Sequence, residues 1–309
     1  MPTLSPAQRP VRVGVQLQPQ HADYATLRRA VDAAEQAGVD IIFNWDHFFP
    51  LSGEPDGPHY ECWTLLSAWA EQTERVQLGP LVTCNSYRNP ELLADMVRTV
   101  DHISGGRAML GIGAGWFQRD YDEYGYEFGS AGTRIAALGE SLPRIKRRWA
   151  QLNPSPVREI PVLIGGGGER KTLRIVAEHA TIWHAFGDAS TLAHKNQVLD
   201  DWCGRVGRDP HEIERSTDVQ GAGPEEVGDS LVSLGTRLIT LGVDGRSGFD
   251  LGLVRAWLHF RDDHNAALRP PDQHPPDQQA PAWHAPDRHA PDPNAPDPSA
   301  EPRRADQNA

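Results

Sequence analysis

Short apolar, β-branched runs alternate along this chain with longer stretches of helical period. The runs fall at residues 11–17, 41–43, 76–82, 108–112, 162–164, 181–184, 215–219 and 237–241. Their length and composition predict strands. Each is followed by an amphipathic segment. In the first, Tyr24, Leu27, Ala30, Val31 and Ala34 share one helical face, with Asp23 placed as N-cap and Gly38 as stop. The others run over 61–72, 90–103, 133–150, 169–180, 189–206, 224–234 and 250–265. Eight strand–helix pairs in roughly 250 residues predict an α/β fold, a (β/α)8 TIM barrel. A doubly wound open sheet is the runner-up. It would place a Gly-rich turn after the first strand, where Gln18-Pro19-Gln20 stands instead.

The pattern stops near residue 270. The last 40 of the 309 residues hold 11 of the 26 prolines and no Val, Ile, Leu, Met or Phe. An Ala-Pro-Asp repeat at 285–287, 290–292 and 295–297 cannot bury enough apolar area to offset ordering entropy. Residues 270–309 therefore read as a disordered tail, and 1–269 as the barrel. Seven acids against three arginines put −4 of the net −12 on the tail and leave −8 on the barrel. His274, His284 and His289 lie there at irregular spacing, so a solubilising appendage is the plain reading and metal binding the alternative.

The acidic balance argues against a nucleic-acid partner, because tracking phosphates needs clustered Lys and Arg. No apolar run approaches twenty residues, so no membrane span is expected. The first residues lack the charged-then-apolar order of a secretory signal. Cys62, Cys84 and Cys203 have no CxxC spacing and read as reduced thiols. A cytoplasmic protein is expected.

A barrel places its chemistry on the loops after the strands. The unusual residues fall there: Asn44-Trp45-Asp46-His47-Phe48-Phe49, Thr83-Cys84-Asn85-Ser86-Tyr87-Arg88, Gly111-Ile112-Gly113-Ala114-Gly115-Trp116, and Gly165–Gly168 before Glu169-Arg170-Lys171-Thr172. The glycine clusters match neither the dinucleotide fingerprint nor a Walker loop. Four glycines before a helix can be a permissive turn. They can also let backbone N–H groups approach a phosphate at the helix start, helped by Arg170 and Lys171. His47 is the leading catalytic candidate, since histidine exchanges protons near neutrality. Asp46 would fix its tautomer or accept from a ligand, and Trp45 would wall a flat ring. His184 is a second candidate; His102 and His179 lie within helices and read as structural.

Taken together, Trp45-Asp46-His47-Phe48, Tyr87-Arg88-Asn89-Pro90, Leu92-Leu93-Ala94, Asp101-His102-Ile103-Ser104-Gly105-Gly106-Arg107, Gly111–Trp116, Ile164–Gly168, Thr172-Leu173 and Arg261-Asp262 with Asn265 resemble the luciferase-like flavin and deazaflavin oxidoreductases. The likeness runs over about residues 11–265 and is strongest to the branch that uses coenzyme F420. It implies a barrel that binds the ring over its strand ends, with His47 facing the ring as catalytic residue. Asp46, Thr83, Ala114 and Gly115 would contact the ring or ribityl chain, as would Leu81 and Asn85. Gly166, Gly167, Gly168, Lys171 and Thr172 would take the phosphate. The family's non-prolyl cis peptide after strand three would fall at Pro80–Leu81. Relatives commonly dimerise, so a homodimer is open to this chain.

Two departures matter. Trp116 stands where F420-dependent sugar-phosphate dehydrogenases have glutamate, which argues against that chemistry. Only Ala150–Glu159 separates Trp149 from Ile160, where many relatives carry a long insertion, so a more open pocket is expected. The resulting expectation is an F420-dependent oxidoreductase transferring hydride at the deazaflavin C5 to or from a small organic substrate. The alternatives are an FMN-dependent monooxygenase and a non-catalytic flavin or deazaflavin-binding protein.

Overall fold

The first apolar run becomes β1 (Arg12–Leu17), and the face predicted for the segment after it is buried in α1 (Tyr24–Ala37) through Leu27, Ala30, Val31 and Ala34. Asp23 accepts from the Thr26 N–H, and Gly38 ends the helix in the left-handed region at φ 95°. The computed structural model describes residues 9–268, so the tail expectation for 270–309 lies outside them. The alternation continues through β2 (Ile41–Asn44), α2 (Cys62–Gln72), β3 (Gln77–Pro80), β4 (Thr83–Cys84), α3 (Pro90–Ile103), β5 (Leu110–Gly113), α4 (Gln118–Tyr124) and α5 (Ala131–Trp149). It ends with β6 (Val162–Gly165), α6 (Thr172–His179), β7 (Ile182–Ala185), α7 (Ala189–Val206), β8 (Glu214–Asp218), α8 (Pro224–Ser233), β9 (Thr236–Val243) and α9 (Gly252–Ala267).

The strands form one parallel sheet in the order β3-β2-β1-β9-β8-β7-β6-β5-β4. β3 and β4 at its two ends are consecutive in the chain, so they are halves of one stave. Leu78 N–H donates to the Arg107 carbonyl at 3.1 Å and Met109 N–H to the Leu78 carbonyl at 2.8 Å, which draws the two ends together. The result is the expected eight-stave barrel.

The break between β3 and β4 is a cis peptide at Leu81–Val82, one bond later than expected. Pro80 still pairs in register with Asn44, and the Leu81 N–H reaches the Asn44 carbonyl at 2.7 Å, so Pro80–Leu81 continues the ladder. Helix α4 is the other departure. It has seven residues and no side-chain N-cap, too short to register as a periodic pattern.

Ile41, Phe43, Met109, Leu163, Ile182 and Leu238 pack together inside the barrel. Gly14 leaves room for them: a Cβ there would sit 2.7 Å from the Phe43 ring. A larger apolar layer joins the sheet to the helices. The last helix is tied to the first strand by Asn265, which accepts from the Val11 N–H at 2.7 Å and donates to the Val11 carbonyl at 2.8 Å. Among the described residues no helix is long and apolar enough to cross a membrane.

Candidate active site

The C-terminal ends of the strands surround a cavity of about 680 Å³. Asp46, His47, Leu81, Thr83, Ala114, Gly115, Gly166, Gly167 and Thr172 of the expected site line it. Asn85, Gly168 and Lys171 do not. Asn85 is buried in a 3-10 turn (Asn85–Tyr87), and Lys171 is exposed at the start of α6.

His47 is fixed, though not by its sequence neighbour. Its Nδ1 meets Asp120 Oδ2 at 2.7 Å, from α4. Tyr87 O–H also donates to Oδ2, at 2.8 Å, and the Phe48 N–H donates to Oδ1 at 3.0 Å. A carboxylate only accepts, so Nδ1 carries a proton, and in the neutral imidazole Nε2 is the nitrogen left without one. Burial, then the neighbouring Cys84 and Asp120, push the Tyr87 phenol well up, which keeps it a donor. The rings of Trp45, Trp116 and Phe117 pack against the imidazole at 6.1, 5.7 and 5.5 Å between centroids.

Asp46 is engaged elsewhere, which corrects its expected role toward His47. Arg88 holds it at 2.5 Å to Oδ2 and 3.0 Å to Oδ1, and Oδ2 also accepts from Thr83 O–H at 2.8 Å and the Cys84 N–H at 3.0 Å. Thr83 in turn accepts from Trp63 Nε1 at 2.7 Å. The pair is buried and charge-assisted, and it pins β4 beside the cis peptide.

Trp45 is aimed by His59, whose Nε2 accepts from the indole N–H at 3.0 Å. Burial, then repulsion from His47, bring the His59 pKa down to about 4, so it stays a neutral acceptor. His184 is likewise lowered to about 4 by burial; its Nδ1 meets Ser216 Oγ at 2.9 Å and its buried Nε2 has no partner among the described residues.

The glycine run forms one wall. Gly166 adopts φ 130°, which a side chain would oppose, whereas a Cβ on Gly167 would meet nothing closer than Lys195 Cε at 3.9 Å. Protein packing therefore gives no reason for glycine at 167. The start of α6 has no side-chain cap; the Leu173 N–H goes to the Gly168 carbonyl at 2.9 Å, and the Thr172 N–H beside it is left to an anion. Lys195 from α7 lines the cavity here and pairs with Glu169 at 2.5 Å.

Gln16, Leu51, Asp120, Phe186, Lys195 and Asp218 are participants that the sequence reading missed. Gln16 and Asp218 sit at strand ends, the one signal that marks them. The other four lie in loops and helices with no motif.

The chain spans about half the length of the curated relatives it matches. One is the F420-dependent glucose-6-phosphate dehydrogenase of Amycolatopsis mediterranei, 32% identical over 166 residues, covering 48% of this chain and 47% of that protein. Among solved structures, an F420-dependent secondary alcohol dehydrogenase in complex with an F420-acetone adduct superposes with TM-score 0.71 at 16% identity, over 85% of this chain and all of that one. The coenzyme F420-dependent tetrahydromethanopterin reductase of Methanopyrus kandleri superposes with TM-score 0.63 at 16% identity, over 82% of this chain and 100% of that one. At such identities the superpositions speak for the barrel alone. The match that reaches across sequence and site runs over residues 9–220, from β1 through β8, and by it the chain belongs to the luciferase-like monooxygenase family.

Proposed function

We propose that the chain is an oxidoreductase that uses coenzyme F420 and passes a hydride between the deazaflavin C5 and a small organic substrate, with His47 handling the accompanying proton. The observation that carries this reading is the His47–Asp120 pair at 2.7 Å in the wall of a cavity that also holds the glycine cradle. Two of the similar proteins are named as F420-dependent dehydrogenases.

The residues present fit such a group. Gly166, Gly167, the uncapped start of α6 at Thr172, and Lys195 suit a phosphate. Leu81, Val82 and Trp45 offer apolar faces to a flat ring, and Ala114 and Gly115 line the same cavity. Bound there, F420 supplies a two-electron hydride donor or acceptor. Asp120 holds His47 in one tautomer, so Nε2 accepts the proton in one direction and returns it in the other. The aromatic rings around His47 keep water from the imidazole. Asp46 acts through others, holding Thr83 and Cys84 where the wall needs them.

Titrating the purified protein with F420 and, in parallel, FMN tests the reading. F420 is expected to bind at micromolar concentration and FMN weakly. Tight FMN binding without F420 would turn the reading to a flavin monooxygenase, and binding of neither at high micromolar concentration would end it.

A further inference from the structure

We propose that the substrate of this cavity is an uncharged, flat, largely apolar molecule that rests on Trp116 and Phe186, and not a phosphate or carboxylate. The word substrate rests on the reading above; the recognition argument stands on the cavity itself.

The charged groups of the lining are few and almost all engaged. Asp46 is paired with Arg88 at 2.5 Å, His47 with Asp120 at 2.7 Å and Lys195 with Glu169 at 2.5 Å. Among the described residues Lys195 is the one Lys or Arg in the lining, and it stands at the glycine cradle. Asp218 has no basic partner among the described residues; it accepts from the Gln220 N–H at 2.8 Å and from Thr240 O–H at 3.4 Å. Burial raises its pKa, as expected for a carboxyl with little to offset desolvation. His184 is neutral. Away from the glycine cradle, an anion would shed its hydration and meet carboxylates with no free cation among the described residues to receive it.

The apolar side of the cavity is as telling. Trp116 is 62% and Phe186 63% exposed, although both rings line the cavity. Large aromatic rings left open on a concave surface mark a place that a ligand covers. Trp116 packs edge-on to His47 at 5.7 Å, so a molecule lying on the indole comes within reach of the imidazole. Phe186 lies edge-on to His184 at 5.2 Å, over an uncharged base. Leu51, Ile135 and Leu138 continue the apolar wall.

The full chain, with and without F420, can be titrated calorimetrically with three probes of matched shape: 2-acetylnaphthalene, 2-naphthoate and 1-(2-naphthyl)ethylamine. The ketone is expected to bind at least tenfold more tightly than either charged analogue, and glucose 6-phosphate more weakly still. Trp116→Ala and Phe186→Ala are each expected to weaken the ketone at least fivefold. Naphthoate or glucose 6-phosphate binding as tightly as the ketone would overturn the proposal. So would an amine that binds tightest, which would make Asp218 a counter-ion, or a ketone affinity that neither substitution moves. F420 failing to bind while the ketone preference holds would remove the preceding reading alone. F420 binding without that preference would remove this one alone.

Discussion

Replacing Asp120 by Asn tests the assignment of His47 most directly. The side chain is fully buried and receives three hydrogen bonds, from His47 Nδ1 and Tyr87 O–H on Oδ2 and from the Phe48 N–H on Oδ1. A carboxamide has one oxygen to offer. The Phe48 amide cannot reverse its role, so the oxygen stays with it and the new NH2 faces His47 and Tyr87. Tyr87 can rotate its hydroxyl and accept. His47 can answer only by moving its proton to Nε2, which removes the acceptor the cavity needs. A positioned acid–base group contributes about 10²–10⁴ in rate, so kcat should fall by that factor, about 3–5 kcal/mol of barrier. The F420 dissociation constant should move less than about threefold, because no hydrogen bond to the glycine cradle changes. Steady-state absorbance at the deazaflavin band with a ketone substrate gives kcat, and fluorescence titration gives the affinity. Tyr87→Phe is the control: it removes one bond to the same carboxylate without touching the tautomer and should cost less than about tenfold, since a net hydrogen bond is worth about 1 kcal/mol. Asp120→Asn retaining kcat within twofold, with cofactor bound, would refute the role given to His47.

Asp46→Ala should leave the buried guanidinium of Arg88 with Glu61 alone, at 2.5 Å, and should lower the unfolding free energy by about 1–3 kcal/mol; an unchanged midpoint in urea titrations would show that Glu61 suffices to hold Arg88. Gly167→Val should fold normally, since its Cβ meets only Lys195 Cε at an ordinary 3.9 Å, yet weaken F420 at least about tenfold; unchanged affinity would remove the cradle. The depressed pKa values of His59 and His184, both about 4, predict acid sensitivity. Between pH 6.5 and 4 the unfolded chain binds the proton and the folded chain does not, so stability falls as pH falls through that window, by about 1 kcal/mol per pH unit for each histidine. His59→Gln should flatten the curve by that slope relative to wild type, and parallel curves would contradict the assignment.

The parts of the site that lie along one strand and its loop were readable from sequence, and those delivered from a distance were not. Trp45, His47, Thr83 and Gly166 follow strands whose apolar, β-branched runs announce them. The run at 76–82 gave no sign that it divides, because a peptide that turns between Leu81 and Val82 leaves the apolar pattern unchanged. Asp46 was matched to His47 through adjacency, yet neighbours at a strand end project apart. One turns to Arg88, the other to Asp120, 73 positions away on a helix of seven residues. Lys171 was expected at the phosphate cradle for the same reason, and Lys195, one helix later, stands there instead.

The opposite error is also instructive. Asp101–Arg107 contributed to the family likeness as strongly as any strand-end motif, but its geometry is structural. Arg107 donates to the carbonyls of Ala70, Thr73, Val76 and Ser104 and to Thr73 Oγ1, all at 2.7–2.8 Å, closing the C-terminal end of α2. The Ala70 and Thr73 carbonyls at the end of α2 and that of Ser104 at the end of α3 are orphan acceptors that a helix end must satisfy. A motif can therefore mark a fold by solving a backbone problem at one end of the barrel while the chemistry sits at the other. What separates the two is whether a polar atom is used up, as every N–H of Arg107 is, or left over, as Nε2 of His47 is.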